Sequence, residues 1–226
     1  MIYERHNLEE FIKTHSEQKY KEFSQKIILT KYPMNGIRMP IVKKHAKYIF
    51  SCENAKEFFD WDILCYEQVL LQGYLIGYFK NDEKFENLLI RYVKKIDDWS
   101  LCDGPCCAIK RKDDEYFELT RQYSISDDMW QARWGIVSLM TNFWDKPKDA
   151  LCDILNNISA TGYYLDMAVA WFLQVIAAKD SQKAEYIIKN TSLNGQTRKM
   201  AIGKIRDSFR IDKENKKYFK ELLQNS

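Results

Sequence analysis

Residues 165–178 read LDMAVAWFLQVIAA, and the fold turns on how that stretch is read. It is apolar nearly all round, the pattern of a helix buried between neighbours rather than one lying on a surface. Upstream, from Asp127, DDMWQARWGIVSLMTNF spaces Trp130, Trp134, Val137 and Met140 with helical period behind an aspartate suited to cap a helix start. From Tyr66, YEQVLLQGYLIGYF places Val69, Leu70, Gly73, Tyr74, Ile76 and Gly77 at the same spacings. From Arg198, RKMAIGKIRDSF alternates core and basic positions. No run of period-two alternation bounded by hairpin turns appears, so an all-α chain is expected.

The helical segments follow one another through short polar joints, NDEK, SISDD, DKPKD and AAKDSQ, which supply Asp, Asn or Ser where a helix start needs a cap. Antiparallel helix pairs in this rhythm point to a HEAT-like helical-repeat solenoid with a concave basic surface able to follow a duplex. A globular bundle is the alternative arrangement. Glycine and proline are scarce, at 8 and 4 residues, and no Gly-, Ser- or Pro-rich linker divides the chain, so residues 1–226 are expected to form a single domain.

Composition narrows the class. With 46% hydrophobic and 30% charged residues, the 226-residue chain has a soluble globular profile, and no apolar run is long enough to span a bilayer. The start, MIYERHNLEEF, carries acidic residues where a secretory signal needs its apolar core, which predicts a cytoplasmic protein. The six cysteines are then expected as reduced, buried thiols. Cys102 and Cys106 have zinc-like spacing, with Cys107 beside them. The histidines (His6, His15, His45) lie far off and Cys152 is isolated, so no metal is expected. The net charge of +3 is too small to announce nucleic acid by itself. Its distribution says more: Gly195–Lys220 holds nine basic residues against three acidic ones, and smaller clusters lie at Lys43, Lys44, Lys47 and at Lys110, Arg111, Lys112.

Residues 97–103, DDWSLCD, place Trp99 and Asp103 four apart, hence on one helical face. An aromatic face attracts a cation, and a carboxylate stabilises positive charge beside it. The pair suits a flat cationic ligand or a transition state that becomes cationic. The alternative is a capped amphipathic helix with Asp98 as its cap. Arg133, between Trp130 and Trp134, suits either a phosphate or a buried ion-pair partner, and Trp171 in MAVAWFL suits either a site or the core.

Five stretches in order, NGIRMPIVKKHAKYI, DDWSLCD, WQARWGIVSLM, YYLDMAVAWFLQ and KMAIGKIRDSFRIDKENK, make the chain resemble the AlkD-type DNA alkylation repair proteins, the HEAT-like DNA glycosylases. The resemblance runs from about residue 30 to the end. It implies hydrolysis of the N-glycosidic bond of positively charged N3- and N7-alkylated purines in duplex DNA, without flipping the base into a deep pocket. By motif position it implies Asp103 as the catalytic aspartate, Trp99 and Trp171 as lesion-facing tryptophans and Arg133 as a backbone-binding arginine. Lys43, Lys44, Arg198, Lys199 and Lys204 are the accompanying DNA-binding candidates. A monofunctional glycosylase of this kind needs no cofactor, and a monomer is expected. The sequence departs from the family around Trp171: Met167 and Gln174 stand where basic residues are usual, which thins the positive lining of the groove. The competing readings are a non-catalytic helical-repeat module binding nucleic acid or a protein partner, and a small-molecule-binding bundle.

Overall fold

The computed structural model describes residues 1–225, and among them it is entirely helical, with thirteen α-helices, two short 3-10 segments and no strand. The chain groups into two compact units, Met1–Lys110 and Arg111–Ser226.

The first unit contains α1 (Arg5–His15), α2 (Gln18–Ser24), α3 (Met39–Phe50), α4 (Tyr66–Ile76), α5 (Phe85–Val93) and α6 (Trp99–Ala108). Every residue of α4 is buried, because it packs against α3, α5 and α6 at once. Its Val69, Leu70, Leu71 and Leu75 meet a core that includes Val42 and Ile49 of α3, Leu88 and Leu89 of α5 and Leu101 of α6. Burying one such side chain contributes about 1.5–3 kcal/mol, so α4 is the element around which this unit condenses.

The second unit contains α7 (Asp114–Ser124), α8 (Met129–Asn142), α9 (Lys148–Asn156), α10 (Tyr163–Lys179), α11 (Ser181–Lys189), α12 (Gly195–Asp207) and α13 (Lys213–Asn225). Here α8, α10 and α12 stack in order as one row, and α7, α9, α11 and α13 as another. The rows are joined by the neighbouring pairs α7–α8, α10–α11 and α12–α13. That two-row stacking is how helical repeats bury a continuous core. Asp113, Asp128, Asp180 and Asn194 cap their helices by accepting backbone N–H groups, each worth about 1 kcal/mol. The joint DKPKD behaves differently: α9 opens behind Pro147 with no side-chain cap, and Asp149 in its first turn complements the helix dipole instead.

The stretch that predicted a wholly buried helix forms α10, buried on most sides by α8, α11 and α12. One stripe stays half-exposed, running through Tyr164, Met167, Trp171, Gln174 and Ala178 at helical spacing. The apolar sequence concealed it, since methionine and tryptophan read as core when only polarity is considered.

Candidate functional site

In the first unit the site is assembled around the start of α6. Asp98 caps the helix: its Oδ1 accepts the Ser100 N–H at 2.9 Å and the Ser100 hydroxyl at 2.6 Å. Its Oδ2 accepts the Leu29 N–H at 2.9 Å. Asp97 next to it accepts the Thr30 hydroxyl at 2.8 Å and the Lys31 N–H at 2.9 Å. Further along the same loop, the Glu67 carboxylate, only 1% exposed, accepts N–H groups of Asn35 at 2.9 Å and Gly36 at 2.7 Å. Three carboxylates thus tie residues 29–36 onto α4 and α6. Gly36 is required there, because its φ is +82° and a Cβ would lie 2.6 Å from the Glu17 carbonyl oxygen.

Trp99, the first residue of α6, is half-buried and donates its indole N–H to the Ile27 carbonyl at 3.2 Å. The ring walls a cavity of about 170 Å³ together with Tyr20, Phe23, Ile27, Met39 and Tyr74. Tyr74 in turn lies against Gly104, where a Cβ would be 2.3 Å from its hydroxyl oxygen. Burial pushes the Tyr74 phenol up to about 12, so it stays neutral. Asp103 sits half-exposed beside Gly104, one turn beyond Trp99. The helix therefore carries an anchored indole and a half-exposed aspartate one turn apart on one face. Lys43 and Lys44 are exposed on α3, with the Lys43 ammonium 5.1 Å from the centre of the Tyr74 ring. The inward face of α6 carries the buried cysteines Cys102 and Cys106, and Cys107 is half-exposed. Among the described residues no group of three or more His, Cys, Asp or Glu side chains is placed to hold a metal ion.

In the second unit, Arg133 lies within α8 and is only 4% exposed. Its guanidinium donates to the Tyr164 carbonyl in the first turn of α10, and the Tyr164 ring packs on Trp130 at 5.0 Å. Trp171 occupies the open stripe of α10. Over it stands Lys204 of α12, its ammonium 5.8 Å from the ring centre. The start of α12 is fixed on α10 by Asp166, which accepts the Asn194 amide at 2.9 Å and the Thr197 hydroxyl at 2.7 Å. Gln174 donates to the Ser208 hydroxyl at 3.1 Å. Lys199 is exposed, whereas Arg198 is half-buried with a buried Nε that has no hydrogen-bond partner. Positive charge beside Trp171 therefore comes from α12, while α10 itself carries Met167 and Gln174 at the positions flanking the ring.

Sequence reasoning singled out Trp99, Asp103, Trp171 and Lys204 as candidates but not the parts that orient them. Asp97 and Glu67 gave no signal, since a solvated acidic residue and a loop-holding one look alike in sequence. The doubled aspartate before Trp99 was the available clue: one residue suffices for a cap, so the second is free for another task. The approach of Lys204 to Trp171 spans two helices and follows from stacking alone.

Comparison with known proteins matches the chain over residues 6–207 to the family described as DNA alkylation repair enzyme. No curated protein matches it. With nearly its whole length covered, the chain belongs to the DNA alkylation repair enzyme family, which gives it a role in alkylation repair.

Proposed function

We propose that the protein is a monofunctional DNA glycosylase that releases positively charged N3- and N7-alkylated purines from duplex DNA. The observation that carries this reading is the pairing on α6 of a pinned indole with a half-exposed aspartate one turn away, Trp99 and Asp103. Membership of the alkylation repair family supports it.

The chemistry asks little acid catalysis, because a cationic alkylpurine already departs easily. As the bond between C1′ and the purine nitrogen breaks, its electron pair neutralises the departing base and positive charge develops on the deoxyribose. Asp103 stabilises that charge and orients a water whose oxygen forms the new bond to C1′, its proton passing to the carboxylate or solvent. The ring of Trp99 presents an electron-rich face to the cationic nucleotide, and Trp171, in the second unit, offers a further aromatic face to the duplex. Lys43, Lys44, Arg198, Lys199 and Lys204 supply positive charge toward phosphates, so binding weakens steeply with salt, while the buried Arg133 acts behind them by holding the Tyr164 carbonyl at the start of α10. The protein acts as a monomer, and the reaction needs no cofactor.

The test is release of N7-methylguanine and N3-methyladenine from duplex DNA by wild type and Asp103→Asn. Wild type is expected to release base, and the variant to lose at least about a hundredfold in rate with unchanged thermal unfolding and duplex affinity. Salt-dependent duplex binding without release of either base by the wild type would leave a non-catalytic nucleic-acid module.

A further inference from the structure

We infer that Phe209 is an apolar wedge that stacks on nucleobases of the bound duplex close to the nucleotide facing Trp171; this rests on the DNA-binding reading above. Phe209 is 104% exposed, so its ring touches almost nothing in the protein. It occupies the tight turn between α12 and α13, and that turn is pinned on both sides. Before it, the Ser208 hydroxyl accepts the Gln174 amide of α10 at 3.1 Å and the Arg210 N–H at 3.3 Å. After it, Ile211 is buried, and Asp212 accepts the Asn215 N–H at 2.9 Å and the Asn215 side-chain amide at 2.6 Å, capping α13. Because the backbone of the turn is already fixed, insertion of the ring costs only the side-chain rotation.

The surroundings select the occupant. Arg206, Arg210, Lys213 and Lys217 are exposed around this turn. Of the nearby acids, Asp207 pairs with Arg206 and Asp212 is spent in the cap, which leaves Glu214. A phenyl ring within a cationic rim fits a polyanion with apolar faces in its interior. Proteins that bend or open a duplex insert phenylalanine between base steps in this way, with basic residues on the adjoining phosphates. Gln174, which anchors the turn, stands one helical turn from Trp171 on the open stripe of α10. The turn that carries the ring is thereby tied to α10 one helical turn along from the tryptophan.

The experiment measures anisotropy of a fluorescein-labelled undamaged duplex over a salt series, and the fluorescence of 2-aminopurine placed within that duplex. Phe209→Ala is expected to weaken binding about tenfold with the salt slope unchanged, since no charge is removed. The 2-aminopurine should brighten with wild type and with Phe209→Trp, but not with Phe209→Ala. Equal affinity and equal brightening for wild type and Phe209→Ala would overturn the wedge while leaving DNA binding intact. If wild type fails to bind the duplex, the DNA reading falls and the wedge with it. Loss of folding in Phe209→Ala would show a structural ring and would equally overturn the inference.

Discussion

His45 shows how tightly single side chains are held at the edge of the first unit. Its ring stacks on Phe11 with centroids 3.7 Å apart, and its Nε2 shares a 2.8 Å hydrogen bond with the Tyr3 hydroxyl. Burial, reinforced by nearby His15, lowers its pKa from the ordinary 6.5 to about 4. The unfolded chain therefore takes up a proton below pH 6.5 that the folded chain refuses until about pH 4. Stability contributed by the neutral ring is complete above pH 6.5 and is lost as pH falls toward 4. Urea unfolding across that window is expected to show wild type losing stability more steeply than His45→Gln. Parallel curves would refute this. The resting state of this histidine was not legible in the sequence, because Tyr3, Phe11 and His45 are brought together only by the packing of α1 on α3. Trp99 and Asp103, by contrast, were legible because a four-residue spacing within one helix needs no tertiary information.

At the scale of elements, the loop between α2 and α3 is bound to α6 through side chains that sequence periodicity does not weigh. Replacing Asp98 with Ala removes the cap of α6 and strands the Leu29 N–H. The expected loss is about 2–3 kcal/mol, or roughly 5–10 °C in Tm for a chain of this length. Asp98→Asn, which keeps one acceptor, should fall between the two, and a Tm within a degree of wild type for Asp98→Ala would refute the latch. Helices were readable where caps and apolar period coincide, as at the aspartates before α8; α12 was read from Arg198, whereas it starts at Gly195 behind the cap Asn194. They were harder to bound at α9, which starts without a side-chain cap. The open stripe of α10 was missed because exposure depends on which neighbours stop short of it.

Across the whole molecule, a net charge of +3 leaves little long-range pull toward a polyanion, so affinity must come from where the charge is gathered. Five of the six cysteines, Cys52, Cys65, Cys102, Cys106 and Cys152, are buried, and Cys107 is half-exposed. Burial pushes the Cys65 thiol up to about 12 and lifts Cys106 well above its ordinary value. The reactive form of cysteine is the thiolate, and it must also be reached. Iodoacetamide on the native protein is expected to label Cys107 first and the other five only after urea unfolding; rapid native labelling of Cys65 or Cys106 would contradict this. The same shielding has a chemical meaning for a protein of alkylation repair. Methylating electrophiles that damage DNA also consume thiols, and this chain keeps five of its six cysteines buried. Burial shields those thiols from the same class of reagent whose damage the family repairs.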